Sequence, residues 1–455
     1  MLLQEQELQK NNLKKNNIKT RSLNIMKMKL VLLIFIVLSI FITSCAPLHQ
    51  IPNTLINRSS SPANQTPMAT SNEPMENKDI PVCPTETATG CRKPDSNKQY
   101  ANEAPCNENV QFTHLPMKFE DFALLEPMGL MIGGHVTPID HMYFVPAIWK
   151  SERDRYGVIA VANGILVQIG HQTFLEGEKD ANGNQIYQYT LIIKHSCSLT
   201  SVYNLVTVLS PRIQKIVEQN TNKENIGTDI PITAGELLGK IGGRTLDFNI
   251  IDTSVTLKGF VNPKSYSDIK IHITDPLPYF EESLRNQLLS KDARQIKPRG
   301  GKIDYDIDGK LVGNWFKVGT QGYNEGAMEN YWAGHLSIVY DAVDPSQIRV
   351  SIGDFNGEPL QFGVAGNTPD PSNVDKSIGL IKYELVKFEH FTDSGRWDWL
   401  SYNSNIHSSN IENMPPAGVL LAQLIDNRTL KVEIFPGKRA SDISGFDEKA
   451  VLYER

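Results

Sequence analysis

The sequence predicts a mostly β protein, with a β-sheet domain over residues 112–274 followed by a separate β-sandwich or barrel over residues 300–455. Three observations predict it. Glycine and proline are plentiful (32 and 26 of 455 residues) and turn dipeptides recur throughout. Apolar and β-branched residues alternate with polar ones in runs of strand length, as in "YQYTLIIKH" and "TSVYNLVTVL" in the first domain and "GHLSIVYD" and "QIRVSIGDF" in the second. Helix signals are confined to two places.

Residues 1–45 read as an address. The stretch "LVLLIFIVLSIFI", residues 30–42, is uncharged and of the length of a signal-peptide core, too short for a comfortable membrane span. Lys27 and Lys29 precede it and "ITSC" closes it. Small residues directly before a cysteine resemble the lipobox of bacterial lipoproteins. That resemblance implies lipidation of Cys45, with more than one acyl chain on the new N-terminus, which satisfies the two-signal requirement for stable anchoring. An uncleaved signal anchor is the alternative, and translation from Met26 or Met28 would shorten the polar leader. The expected location is exported and membrane-anchored, in the cell envelope.

Charge excludes one class of partner. Residues 1–29 hold seven Lys/Arg against two acidic residues, a net +5, so of the chain's overall −6 the part from Cys45 onward stands at −11. Binding a phosphate backbone needs a basic face, so no nucleic-acid partner is expected.

Residues 46–111 are rich in Asn, Pro, Ser and Thr, with almost no apolar periodicity, and read as a disordered tether. Cys83, Cys91, Cys106 and Cys197 remain once Cys45 is set aside. An even number outside the cytoplasm permits two disulfides, in three possible pairings.

In the first β domain, "ANG" at 162–164 and at 181–183 supplies turn residues suited to positive φ. Ser210 followed by Pro211 starts a short helix over "SPRIQKIVEQ". Residues 275–299, "DPLPYFEESLRNQLLSKDARQ" and onward, form a linker helix to the last domain. There, "DYDIDG" (Asp304 to Gly309) matches the front of a calcium-binding loop. Its twelfth position is Trp315 rather than glutamate and flanking helices are missing, so a turn at Asp308-Gly309 is expected instead.

Four fragments in order carry a family resemblance: "GVIAVANGILV" from Gly157, "TSVYNL" from Thr200, "ITAGELLGKIG" from Ile232 and "TLDFNI" from Thr245. Residues 116–274 thereby resemble the lysostaphin/LytM-type zinc endopeptidases, which cut peptidoglycan cross-bridges. The resemblance implies a LytM-like β-sheet domain, a duplicated hybrid motif. It also implies a zinc held by an H-x-x-x-D motif and by the second histidine of H-x-H, whose leading histidine assists catalysis. His141 falls on the first ligand, Val145 on the aspartate, Asp247 on the last ligand and Thr245 on the assisting histidine; Asn204 follows Tyr203 where the family's "YAHL" has its histidine.

A catalytic zinc needs three protein ligands and an open position, and valine cannot coordinate a metal. The expectation is therefore a non-catalytic envelope-binding or scaffolding module with no cofactor and no assignable catalytic residue. The alternative is a zinc endopeptidase rewired through His141, Asp247 and His195, with His135 and Asp140 nearby. Clustered aromatics in the last domain, Tyr331 and Trp332 with Trp397 and Trp399, suit either a core or the stacking of a cell-wall glycan or peptide.

Overall fold

Strand alternation in the first half resolves into an open antiparallel sheet. In chain order its strands are β1 (Phe122–Glu126), β2 (Met142–Pro146), β4 (Gly164–Thr173), β5 (Tyr187–Lys194), β6 (Leu199–Val206), β8 (Asn225–Ile232) and β10 (Leu246–Asp252), and in space they run β1-β2-β10-β6-β5-β4-β8, with β11 (Ile273–Thr274) also pairing with β10. The computed structural model describes residues 109–173, 187–220, 223–325, 331–412 and 414–455. Cys45 and the apolar run before it, the tether up to residue 108, Cys83, Cys91, Cys106 and the turn at 181–183 lie outside the described residues, while Val110, at the end of the expected tether, packs against the first core. Cys197 is an exposed free thiol. No helix among the described residues is long and apolar enough to cross a membrane.

A small second sheet, β3 (Tyr156–Ile159), β9 (Leu237–Ile241) and β7 (Val208–Leu209) in the order β3-β9-β7, shares a core with the first. Edge-on aromatic contacts thread that core: Phe122 meets Phe144 at 5.1 Å between ring centroids, and Tyr203 meets Phe248 at 5.2 Å. The expected helix is α1 (Pro211–Glu218), with proline in its first turn and Ile213 and Val217 buried one turn apart. Ser210 sits at the cap position without capping, and its hydroxyl is buried with no partner among the described residues. Within the 275–299 linker a 3-10 turn (Leu277–Tyr279) precedes α2 (Glu282–Leu289), and Leu277, Phe280 and Leu288 bind the segment into the first core.

The second half is a barrel. Strands β12 (Gly313–Lys317), β13 (His335–Tyr340), β14 (Ile348–Phe355), β15 (Glu358–Val364), β16 (Ile381–Val386), β20 (Gly418–Leu424), β21 (Thr429–Pro436) and β22 (Val451–Glu454) close on themselves, leaving no exposed edge. Alternate residues such as Leu336, Ile338, Val350, Ile352, Leu420 and Leu430 fill its core around the fully buried Trp315. Between β16 and β20 the chain leaves the barrel to form a three-stranded sheet, β18-β17-β19, from β17 (Phe388–Thr392), β18 (Gly395–Arg396) and β19 (His407–Asn410).

Two turn expectations are refined. Gly164 does not turn the chain through positive φ; it opens β4, where a Cβ would lie 2.7 Å from the Lys194 carbonyl oxygen. Gly309 does sit in a turn, at φ 73°. The acidic groups of "DYDIDG" diverge: Asp304 pairs with Lys302, Asp306 accepts from the Asn314 backbone, and Asp308 pairs with Arg428.

The described residues belong to one compact unit. Leu124 and Val145 of the sheet, Ala293 of the linker, and Val343 and Trp397 of the barrel half form one buried apolar cluster. Gly134 lies under Trp332, where a Cβ would come within 3.1 Å of the indole.

Candidate functional site

The ladder that places β10 between β2 and β6 sets Asp247 opposite Tyr143 on one side and Asn204 on the other. His141 ends the loop into β2, so the register brings its ring to Asp247: His141 Nε2 is 3.4 Å from Asp247 Oδ2. His141 Nδ1 donates to Asp140 Oδ1 at 3.1 Å, and Asp140 Oδ2 accepts from Lys270 Nζ at 3.0 Å. The Lys270 ammonium in turn lies 4.2 Å from the centroid of the Tyr323 ring, contributed by the barrel half. Thr245 donates its hydroxyl to Asp247 Oδ1 at 3.0 Å. Asp247, His141, Asp140, Lys270 and Tyr323 are thus one chain of charged and polar contacts.

Each group's protonation follows from its neighbours. Burial pushes Asp247 up to about 6, against the attraction of His141 and the Thr245 hydrogen bond. Burial also works to raise Asp140, but the Lys270 ammonium and His141 outweigh it and hold that carboxyl well below the usual range. For His141 burial opposes the charged form, and the Asp140 hydrogen bond and the Asp247 charge override it, so its pKa is raised. Lys270 is raised above an ordinary lysine because Asp140 outweighs its burial. On β1, Glu126 is pushed up to about 8 by burial and by the Asp247 charge.

Do these donors fit a zinc? His141 Nε2 is buried with no hydrogen-bond partner and faces Asp247, which gives two ligands. Asp140 is committed to Lys270 and to the far nitrogen of His141. Val145 is 1% exposed and packed in the apolar cluster that joins the two halves. Among the described residues no group of three or more His, Cys, Asp or Glu is arranged to hold a metal. A fixed ammonium on Asp140 also opposes a dication beside His141. The donor set does not fit a hydrolytic zinc.

His195 stands apart from this pair. Its Nδ1 donates to the Asn163 carbonyl at 2.8 Å, since a carbonyl only accepts, and its Nε2 then accepts the Ser201 hydroxyl at 2.7 Å. Burial pushes it down to about 4, so it is a neutral, fully bonded core histidine. The exposed His135 has its ring centroid 6.3 Å from that of His141 and is edge-on to it.

Tyr331 and Trp332 lie half-buried in a short turn, 5.2 Å apart and perpendicular, with Tyr331 packed on His335. They belong to the seam between the halves rather than to an open platform. The aromatic pair that does face a cavity is Trp397 and Trp399, 4.2 Å apart. This cavity, about 860 Å³ in volume, lies between the halves. Glu126, Tyr143 and Thr245 line it from the sheet, and His390, Trp397 and Trp399 from the β17–β18 excursion. Trp399 holds a left-handed backbone, φ 60°, a strained conformation for a bulky residue.

No family model and no curated protein matches the chain. Among solved structures it is similar to the NMR solution structure of lysostaphin, with a TM-score of 0.21 and 12% identity, over 59% of this chain and 100% of that chain. A likeness of this size carries neither a site nor an activity over to this chain.

Proposed function

We propose that this protein is an exported lipoprotein, anchored through Cys45, whose LytM-like sheet domain is a non-catalytic module for binding a cell-envelope ligand. One observation carries the reading. Where a peptidase would need a third ligand and a proton acceptor, this chain has Val145 in an interdomain apolar cluster, Thr245 donating to Asp247, and a buried ammonium on Asp140. A hydrolytic centre needs a dication with an open coordination position, and this constellation provides two ligands beside a fixed positive charge. The barrel half covers the same face of the sheet and turns the groove into a walled cavity, which suits retention of a ligand.

The competing reading is a zinc-dependent peptidoglycan endopeptidase using His141 and Asp247. The unpartnered His141 Nε2 is the observation in its favour. Elemental analysis of the purified full-length protein, together with a peptidoglycan-cleavage assay, separates the two. The expected result is zinc well below one per chain and no cleavage. Stoichiometric zinc that is lost in His141→Ala, with cleavage of cell-wall peptides, would overturn the non-catalytic reading. For the anchor, Cys45→Ser is expected to move the protein from the membrane to the soluble fraction; retention in the membrane would favour an uncleaved signal anchor.

A further inference from the structure

We infer that the cavity between the two halves is a binding site for a neutral saccharide, which stacks on the Trp397–Trp399 pair and meets Glu126 and Tyr143 with its hydroxyls; this rests on the non-catalytic reading above and names its ligand class.

The first support is the charge balance of the walls. The cationic side chains around the cavity are each paired with a carboxylate. Asp341 accepts from Arg349 Nε at 3.1 Å and from His390 Nε2 at 2.9 Å, and Glu389 is bridged by Lys387 and Arg396. Asp398 accepts from the Leu400 backbone and the Ser401 hydroxyl and has no cationic partner among the described residues. Glu126 likewise has no cationic partner, and burial beside Asp247 raises its carboxyl to about 8. With every lining cation already facing a carboxylate, the cavity selects against anionic ligands, because an anion would surrender its hydration for no free counter-charge.

The second support is the arrangement of the apolar and polar parts. Small-molecule sites are mostly apolar, of about 300–1,000 Å³, with a few polar groups that fix orientation. This one has the indole pair on one side, with Trp149, 39% exposed, also on its wall. From the sheet side come Glu126 and the Tyr143 hydroxyl, which have no hydrogen-bond partner among the described residues. A protonated carboxyl and a phenol both donate and accept, as sugar hydroxyls do, whereas the C–H face of a pyranose ring matches an indole face.

The third support is how firmly the platform is held. His390 sits edge-on to Trp399 at 4.6 Å, and its Nε2 is fixed on the buried Asp341. Arg349, 1% exposed, holds Asp341 from the other side and lies 3.4 Å over the Phe388 ring. A buried ionic network is a poor source of net stability, so its value lies in fixing geometry. Here it fixes the ring that faces the cavity, together with the strained Trp399 backbone.

The test uses the purified full-length protein, with chitotriose, cellotriose and maltotriose as probes and an alanyl-glutamyl tripeptide as a competing class. Binding is read by tryptophan fluorescence and by saturation-transfer NMR. At least one trisaccharide is expected to bind saturably, with affinity reduced roughly tenfold or more in Trp399→Ala and largely retained in Trp399→Phe. Glu126→Gln, which keeps a donor and an acceptor, is expected to bind, and Glu126→Leu to bind more weakly. Circular dichroism melts establish that each variant is folded. The proposal is overturned if no trisaccharide binds, if binding is indifferent to Trp399→Ala, or if only the peptide binds. Zinc content measured on the same sample reports separately on the non-catalytic reading, which can fail while saccharide binding stands, and the reverse.

Discussion

Replacing Lys270 by methionine keeps the length of the side chain and removes only its charge. Lys270 is 2% exposed, and its ammonium sits 3.0 Å from Asp140 and over the Tyr323 ring. In the variant Asp140 keeps His141 as its one remaining side-chain partner. Breaking a buried ion pair from one side costs about 3–5 kcal/mol, because a desolvated charge is left behind. The Asp140 side chain is 23% exposed, so some water reaches it and the low end applies, about 3 kcal/mol. At about 2.1 cal/mol/K of unfolding entropy per residue, a unit spanning Asp95–Arg455 shifts by roughly 1.3 °C per kcal/mol, so the melting midpoint falls by about 4 °C. Adding Asp140→Asn removes the stranded charge, and the double variant should recover to within about 1 kcal/mol of the parent. Calorimetry and urea titration of all four proteins in the cycle provide the measurement. If Lys270→Met melted within about 1 kcal/mol of the parent, or the double variant were no more stable than the single, the buried pair would not be what holds this region.

Val145→Asp places a carboxylate among Leu124, Ala293, Val343 and Trp397; a loss of about 4 kcal/mol or more is expected in urea titration, with no gain in bound zinc. The acid response should be set in part by two histidines. Burial pushes both His195 and His335 down to about 4, so below the ordinary value near 6.5 the unfolded chain takes up protons that the folded chain does not. The contribution of these two histidines to stability is therefore expected to fall as pH drops from about 6.5 to 4, by about 3 kcal/mol each, and to level off below; His195→Asn should remove its share of that slope, as read from unfolding free energies at pH 7 and pH 4.

The β class and most strands were legible because each sheet has one or both faces buried, and burial writes itself into the sequence as alternation or as a continuous apolar run. In "TLDFNIID" nearly every residue is buried, as befits a strand with neighbours on both sides. The choice between sandwich and barrel was not legible, since alternation is identical in both, and closure depends on β12 pairing with β22 at the far end of the chain. His141 and Asp247 could be matched by motif, and the β2–β10 register does bring them together. His195 could not be sorted by pattern, because a histidine at a strand end looks the same whether it faces an ion or, as here, the Asn163 carbonyl and the Ser201 hydroxyl.

Lys270 was invisible for a related reason. In "SDIKIHI" it reads as a surface lysine on a short run, and its partner Asp140 is 130 residues away. Val145 and Lys270 both act through such distant contacts, and both connect the two halves. Val145 shares a buried cluster with Trp397, and Lys270 places its ammonium over Tyr323. Val145 and Lys270 are thus residues on which the barrel half docks. A carboxylate introduced at residue 145 would have to be accommodated inside that interface. Opening that interface for an aspartate would also dismantle the Trp397–Trp399 wall of the cavity.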